Sequence, residues 1–239
     1  MYAEKSRVRK ALQVTRVLVF LLTWCCPVLA QQSPDWAGLK EYQLANAGLM
    51  TGPLQSERVI FFGDSITAAW NLESAFTGKH YINSGIGGQT TPQMLLRFRQ
   101  DVVDLHPRVV VILAGTNDVA ENQGPTTLEA IEGNLASMVE IAKANHIRVI
   151  LSSILPVAAY PWRKEIQPIE KIAALNNWMK GYASGRGVVY LDYYSGLADE
   201  HHGMKTALSE DGVHPNKAGY AIMQPLAEKA IGEALQDKP

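Results

Sequence analysis

Short runs of consecutive apolar residues recur along the chain, and a turn-rich stretch follows each of them. The clearest are Arg108–Leu113, with the sequence RVVVIL, and Arg148–Ser152, with the sequence RVILS. Their residues do not alternate between apolar and polar, as they would in a strand with one face in water. Strands that are buried on both faces belong to parallel sheets covered by helices, and this restricts the chain to α/β architectures.

Five such runs have strand character, and amphipathic stretches with helical spacing lie between most of them. The predicted strands are Arg58–Phe62, His80–Asn83, Arg108–Leu113, Arg148–Ser152 and Val188–Leu191. The predicted helices are Pro92–Leu105 with Thr91 as its cap, Leu128–Ala142, Ile169–Tyr182 and Pro215–Leu235. This alternation predicts a three-layer α/β/α sandwich with a five-stranded parallel sheet and right-handed crossovers. Pro225 is expected to kink or interrupt the last helix.

The first thirty residues differ from the rest of the chain. Five basic residues precede an apolar run from Val17 to Ala30, which ends in the small-x-small step Val28-Leu29-Ala30 that signal peptidase cleaves. The run is shorter than the roughly 20 residues needed to span a bilayer. We therefore expect residues 1–30 to be a signal peptide cleaved near Ala30, with export to the periplasm or the medium. An uncleaved N-terminal anchor is the alternative.

The remainder is predicted to be a single domain with a short leading segment. A chain of 239 residues that is 47% hydrophobic has room for one sizeable core. Residues 31–57 are expected to form a helix, Trp36–Asn46, and a connector, and residues 58–239 the functional domain. Signal cleavage would remove both cysteines, Cys25 and Cys26, and with them disulfide and cysteine–metal chemistry.

Charge and residue spacing disfavour several classes of partner. Removal of residues 1–30 takes away five basic residues and one acidic residue, which leaves a net charge of −5. The whole chain has a formal net charge of only −1, and neither nucleic acid nor an anionic membrane surface is an expected partner. The run Asp199-Glu200-His201-His202 invites a metal-site interpretation, but consecutive side chains in a loop rarely converge on one ion. We expect no metal and no organic cofactor, and the oligomeric state stays open.

A serine stands at the carboxyl end of the first predicted strand, in the motif Phe61-Phe62-Gly63-Asp64-Ser65. Ligands bind at that edge of open α/β sheets, and backbone N–H groups at a helix N-terminus stabilise negative charge. Ser65 is therefore a candidate nucleophile, although serines at this position also serve simply as helix caps.

Two further motifs follow the second and third predicted strands. In the stretch 83–90, Gly85, Gly87 and Gly88 would let backbone N–H groups approach a ligand with no Cβ in the way. In Gly-Thr-Asn-Asp, the side-chain amide of Asn117 is a candidate donor to a developing oxyanion. An Asx turn is the alternative role for this Asn-Asp pair.

The fourth motif is Asp211-Gly212-Val213-His214, directly before the last predicted helix. A carboxylate three residues before a histidine can accept from its Nδ1–H, which leaves Nε2 to take a proton from a serine. His214 is thus a candidate base and Asp211 its partner, with Asp192 as a rival acid. The second glycine of the G-x-S-x-G elbow is missing after Ser65, so the α/β-hydrolase arrangement is not expected.

Together the four motifs resemble the four blocks of the SGNH, or GDSL, hydrolase family, over residues 58–216. The FGDS and GIGGQTT motifs are similar to those of the platelet-activating-factor acetylhydrolase-like branch of this family. The resemblance implies a flavodoxin-like fold with a five-stranded parallel sheet. It also implies a catalytic triad of Ser65, Asp211 and His214, and an oxyanion hole formed by Ser65, Gly88 and Asn117. The choice of Gly88 over Gly87 rests on counting five residues from Asn83.

The motifs and the resemblance predict a serine-dependent carboxylic ester hydrolase that forms an acyl-enzyme and acts on short-acyl esters, O-acetylated carbohydrate among them. One alternative is a lysophospholipase or GDSL lipase-like acylhydrolase that takes longer acyl chains. Another is an inactive ligand-binding module on the same fold. Tyr160, Pro161 and Trp162 follow the fourth strand, and either line an acyl or sugar pocket or simply pack the loop.

Overall fold

A computed structural model of the chain describes residues 35–51 and 57–236. The expected signal peptide, residues 1–30, and its cleavage site near Ala30 lie outside the described residues. Within the described ranges, no helix combines the length and the apolar character needed to cross a membrane.

All five predicted strands are present and pair in parallel, in the order β2-β1-β3-β4-β5. The strands are β1 (Val59–Gly63), β2 (Ile82–Gly85), β3 (Val109–Leu113), β4 (Arg148–Ser152) and β5 (Val189–Leu191). Every residue of β1 and β3 is buried. This burial confirms the inference drawn from the continuous apolar runs.

Helices connect the strands and cover the sheet. They are α1 (Gln43–Thr51), α2 (Ser65–Ala68), α3 (Leu72–Ala75), α4 (Thr91–Asp101), α5 (Thr116–Val119), α6 (Leu128–Ala144), α7 (Pro168–Arg186), α8 (Tyr194–Leu197) and α9 (Lys217–Gln236). Two single 3₁₀ turns, Val103–Leu105 and Thr206–Leu208, complete the described elements.

The two faces of the sheet each carry a hydrophobic core. Successive residues of a strand point to opposite faces, so Phe62 packs in one core and its neighbour Phe61 in the other. The first core takes its helical side chains from α4, α6 and α7, and the second takes them chiefly from α9. The molecule is therefore the predicted three-layer α/β/α sandwich with a flavodoxin-like strand order.

The leading segment differs from its prediction. The sequence predicts a helix over Trp36–Asn46, but α1 begins only at Gln43. The Asp35 carboxylate accepts from the backbone N–H groups of Leu39 and Lys40 at 2.9 and 2.8 Å, which makes a turn of this stretch. Gly38 has a φ of +68°, a left-handed conformation that cannot continue a right-handed helix.

The last helix also differs in two details. It begins at Lys217 instead of Pro215, because the side-chain oxygen of Asn216 caps it by accepting from Ala218 N and Gly219 N at 2.9 and 3.1 Å. It runs through Pro225 without the expected interruption. Pro225 and Ala221 are both exposed, so water can bond the Ala221 carbonyl that the missing proline N–H leaves unpaired.

The topology brings three of the four motifs to one edge of the sheet. β1 leads directly into Ser65, β2 into the glycine-rich loop, and β3 into Asn117. The strand order reverses between β1 and β3, and in open parallel sheets the crevice at that point is where ligands bind. The carboxyl ends of these strands therefore define the candidate site.

Candidate active site

Ser65, His214 and Asp211 form one chain of hydrogen bonds. Ser65 Oγ lies 2.9 Å from His214 Nε2, although the two residues are 149 positions apart in the sequence. His214 Nδ1 lies 2.7 Å from Asp211 Oδ2. The structure thus brings together the three side chains that the sequence proposed as a triad, in the order that the chemistry requires.

The Asp211 carboxylate is held by its own loop. Its Oδ1 accepts from the backbone N–H groups of Val213 and His214, at 2.9 and 2.8 Å. Burial raises the pKa of Asp211, but the hydrogen bonds from the His214 side chain and from these two backbone groups outweigh it and hold the pKa at about 2. The carboxylate is therefore ionised at neutral pH and fixes the Nδ1–H tautomer of His214.

The rival acid and the histidine-rich run have other roles. Asp192 accepts from the backbone N–H and the hydroxyl of Ser195, at 3.0 and 2.6 Å, next to the start of α8. Asp199 accepts from the backbone N–H groups of His201 and Gly203. Within residues 35–51 and 57–236, no cluster of three His, Cys, Asp or Glu side chains is arranged to hold a metal ion.

Glycines let α2 pack closely against the ends of β1 and β2. A Cβ on Gly63 would lie 2.0 Å from Thr67 Oγ1, and a Cβ on Gly85 would lie 2.2 Å from Ala68 N. Asp64 caps the short helix, because its Oδ1 accepts from Ile66 N at 3.0 Å. This close packing places Ser65 at the edge of the sheet with its side chain toward His214.

A series of hydrogen bonds orients the side-chain amide of Asn117. Its Nδ2 donates to Gln89 O at 3.0 Å and lies 3.4 Å from Asp64 Oδ2, while its Oδ1 accepts from Asn122 Nδ2 at 2.7 Å. Asn122 Oδ1 in turn accepts from Trp162 Nε1 at 3.0 Å. The amide nitrogen of Asn117 therefore faces the end of β1. Sequence reasoning missed Asn122, because nothing in its local sequence shows that the turn after α5 folds back onto Asn117.

The glycine-rich loop lies beside the serine. Gly88 has a φ of +74°, a conformation that favours glycine, and a Cβ on Gly87 would come within 4.0 Å of Ser65 Cβ. Both glycines therefore remain candidates for the second backbone donor, and Gly88 stays the prediction.

Two buried carboxyl groups tie the site loops together. Burial raises the pKa of Asp64 to about 7, although the N–H of Ile66 acts against it. Burial likewise raises the pKa of Asp118 to about 6, although its carboxylate accepts from Thr91 N at 2.9 Å and from Thr91 Oγ1 at 2.6 Å. Asp118 thus links the end of β3 to the start of α4.

The buried Arg97 side chain bonds several groups beneath the site. Sequence reasoning also missed this residue. Its guanidinium donates to Gly63 O at 2.9 Å, to Ser84 Oγ at 3.2 Å, to Asp101 Oδ2 at 3.0 Å and to the side chain of Gln89. It therefore fixes the ends of β1 and β2 and the glycine-rich loop together. The available signal was a charged residue among the apolar positions of the predicted helix.

The two aromatic residues after β4, Tyr160 and Trp162, have different roles. Tyr160 is fully buried, and its hydroxyl lies 3.0 Å from Thr116 Oγ1 and 2.9 Å from Thr116 O, so it packs the loop. Trp162 is 43% exposed, and its ring centroid lies 6.2 Å from that of His214. Trp162 is therefore on the rim of the candidate site.

Known sequences resemble this chain over the same region. The model of the GDSL-like lipase/acylhydrolase family matches residues 61–222. Subunit alpha2 of platelet-activating factor acetylhydrolase IB from Homo sapiens is 28% identical over 191 residues, which cover 76% of this chain and 79% of that protein. The uncharacterized lipoprotein YqeF of Bacillus subtilis is 33% identical over 120 residues, 42% of this chain, and the match spans about half (49%) of that protein.

A solved structure agrees with the fold. The crystal structure of a GDSL-like lipase from Bacteroides thetaiotaomicron is 44% identical, with a TM-score of 0.80 over 83% of this chain and 99% of that chain. The range matched by the family model contains every motif residue from Ser65 to His214. The chain belongs to the GDSL-like lipase/acylhydrolase family.

Proposed function

We propose that this protein is a serine-dependent carboxylic ester hydrolase that acts on short-acyl esters through an acyl-enzyme. The observation that carries the proposal is the hydrogen-bonded chain from Ser65 through His214 to Asp211, with contacts of 2.9 and 2.7 Å. Membership in an acylhydrolase family supports the same class of reaction.

In the first half of the reaction, Ser65 Oγ attacks the ester carbonyl carbon and forms the new O–C bond while His214 Nε2 takes its proton. The ionised Asp211 stabilises the imidazolium that results. Backbone N–H groups of Ser65 and Gly88, together with Asn117 Nδ2, donate to the tetrahedral oxyanion. Collapse of the intermediate breaks the bond to the alcohol oxygen, and His214 returns the proton to that oxygen.

In the second half, water attacks the acyl-serine and loses its proton to His214. Collapse of the second tetrahedral intermediate releases the carboxylic acid and returns the proton to Ser65 Oγ. Each proton moves through one atom, His214 Nε2, and the sequence of steps uses only groups of the chain itself and water.

The exposure of the site supports a short acyl group. The side chains of His214 and Asp211 are 37% and 41% exposed, so the site opens to solvent. A long acyl chain gains about 0.8 kcal/mol for each buried CH₂ only if an apolar channel encloses it. The groups recorded next to Ser65 are instead His214 and a glycine, Gly87, and the polar Asn117 lies 3.4 Å from the adjacent Asp64.

A longer acyl chain, as in a lysophospholipase or GDSL lipase-like enzyme, is the competing substrate, because the family includes lipases by name. A panel of p-nitrophenyl esters from C2 to C12 separates the two. We expect kcat/KM to be highest at C2 and to fall by C6. A maximum at C8 or longer would establish the lipid alternative.

We further propose that the protein is exported and loses residues 1–30. The sequence pattern of a signal peptide supports this, and so does the description of the Bacillus relative as a lipoprotein. Mass spectrometry of the protein recovered from its host should find an N-terminus at Gln31. An intact N-terminus in the cytoplasmic fraction would contradict export.

The reaction itself is tested by Ser65→Ala. Loss of the nucleophile is expected to lower kcat for p-nitrophenyl acetate by roughly 10⁴-fold or more, and a fluorophosphonate probe should label the parent protein at Ser65 only. Ser184→Ala is the matched control. Ser184 is exposed near the end of α7, and α7 leads to the amino end of β5, whereas Ser65 follows the carboxyl end of β1. Labelling or full activity in Ser65→Ala would show that another residue is the nucleophile.

A further inference from the structure

Two exposed tryptophans are anchored to neighbouring side chains of one loop. Trp36 Nε1 donates to Gln123 Oε1 and Trp162 Nε1 donates to Asn122 Oδ1, each at 3.0 Å. The two residues are 46% and 43% exposed. Because the indole N–H groups are already bonded, the rings are held in place, and the surface they offer to a ligand is their flat apolar face.

Trp162 borders the candidate active site, and the backbone beside Trp36 contacts the glycine-rich loop. Trp162 lies 6.2 Å from the His214 ring, centroid to centroid. The backbone next to Trp36 lies on the glycine-rich loop, because Ala37 O accepts from Gln89 Nε2 at 2.7 Å. Both tryptophans therefore lie next to segments that carry residues of the candidate site.

The side chains that bond the two rings are neutral, and two cations of the neighbouring segments are paired. The anchoring side chains are the amides of Asn122 and Gln123. Two of the cations near the rings, Arg163 and Lys171, pair with Glu121 at 3.6 and 3.2 Å. A phosphate headgroup would have to break these ion pairs, whereas an uncharged ring with hydroxyl groups needs only an apolar face and amide partners.

We propose that Trp36 and Trp162 bind a sugar ring of the alcohol portion, so that the substrate is an acylated saccharide. The C–H face of a pyranose packs on an indole face, and its hydroxyl groups bond to amide side chains. This inference rests on the proposed ester hydrolase function and assigns specificity-determining residues to it. Trp36 comes from the leading segment, outside the four motifs.

Trp36→Ala is the sharpest test, because the bond of Trp36 to Gln123 is separate from the chain that orients Asn117. We expect its KM for acetylated xylo- and manno-oligosaccharides to rise roughly tenfold, and to rise far less for ethyl acetate, whose alcohol portion carries no ring to pack on the indole. Trp36→Phe retains an aromatic face and should recover most of the affinity. Leu39→Ala, on the same segment and 41% exposed, is the matched control.

Trp162 needs a different readout because it also holds Asn122. Trp162→Phe should lower kcat for both kinds of substrate, since the N–H is lost, but should keep the KM for the oligosaccharides. Trp162→Ala should lower kcat for both and also raise the oligosaccharide KM. Equal KM values in the two variants would show that Trp162 serves only to orient Asn122.

A binding measurement separates this inference from the proposed reaction. In the Ser65→Ala background, acetylated oligosaccharide should change the tryptophan fluorescence, and adding Trp36→Ala should raise the apparent Kd roughly tenfold. If Ser65→Ala still hydrolyses esters, the proposed mechanism is wrong, but the titration still decides the sugar site. The inference is overturned if Trp36→Ala binds the saccharide like its parent, or if it raises KM for choline esters instead.

Discussion

Among single residues, Asn117 can act as the proposed oxyanion donor only if its amide nitrogen faces the serine. An amide can turn by 180°, and the bond from Asn122 Nδ2 to Asn117 Oδ1 at 2.7 Å selects one orientation. The role of Asn122 is thus to position another residue, and it depends on Trp162 for its own orientation.

Asn122→Ala should therefore impair the transition state more than binding. We expect kcat for p-nitrophenyl acetate to fall roughly 10- to 100-fold, less than the 10²–10³ typical for loss of an oxyanion donor itself, with little change in KM. Asn145→Ala, at the exposed end of α6, is the control. A rise in KM at constant kcat would show that Asn122 contacts the substrate instead.

Asp64 makes stability depend on pH. Its pKa is about 7 in the folded protein and 3.8 in the unfolded chain, so between these values the folded state binds more protons. The contribution of Asp64 to the free energy of unfolding therefore falls as pH rises from about 4 to about 7. Asp64→Asn should flatten this fall, and the part due to Asp118, which ends near pH 6, should remain.

Urea unfolding of the parent and Asp64→Asn at pH 5 and pH 8 measures this effect. The variant should gain stability relative to the parent on going from pH 5 to pH 8, by an amount on the order of a few kcal/mol. Parallel pH dependences in the two proteins would mean that Asp64 is ionised throughout this range.

At the scale of elements, α4 organises the site from below through Arg97. The helix carries a fully buried ion pair, Arg97–Asp101, at 3.0 Å, and the same guanidinium bonds the carbonyl of Gly63 at the end of β1. Breaking a buried pair leaves an unpaired charge away from water, which is far more costly than losing a surface pair.

Arg97→Met should lower the free energy of unfolding by about 3–5 kcal/mol, as measured by urea denaturation. Arg99→Met is the matched control on the same helix, because its side chain is 68% exposed and its pairing with Asp104 is 4.0 Å long. It should change stability by less than about 1 kcal/mol. Equal effects of the two substitutions would refute the role given to Arg97.

At the scale of the whole molecule, the leading segment is bonded to the hydrolase core. Tyr42 donates its hydroxyl to Gly85 O at 2.6 Å, Gln100 Nε2 donates to Leu39 O at 2.7 Å, and Asn46 Nδ2 donates to Asp101 Oδ1 at 2.7 Å. The first of these bonds reaches the end of β2, so residues 35–51 support the glycine-rich loop as well as supplying Trp36.

Two truncations test this integration. A chain that begins at Gln31 should keep the Tm and the p-nitrophenyl acetate activity of the full chain. A chain that begins at Glu57 should unfold at a lower temperature, because Asp101 and the carbonyl of Gly85 lose partners that are partly or fully shielded from water. Equal Tm values for the two truncations would show that residues 31–56 are only a connector.

Sequence patterns predicted the strands closely, and the helix ends less well. Buried strands show as unbroken apolar runs, so the bounds of β1, β3 and β4 came within one residue of their predictions. Helix starts depend on which side chain caps the first turn. The last helix begins after Asn216, which caps it, and not at Pro215 as predicted. Pro225 was tolerated because of its exposure, which the three-dimensional packing sets.

Local patterns in the sequence are enough to predict the fold class and the candidate groups of the site, because hydrophobic period and motif spacing are local properties of the chain. The pairing of Asp211 with His214, three residues apart, is of this kind. The contacts of Ser65 with His214, of Asn122 with Asn117 and of Trp36 with Gln123 arise only when the chain folds. Those contacts depend on crossovers that bring distant segments to one edge of the sheet, and no local pattern encodes them.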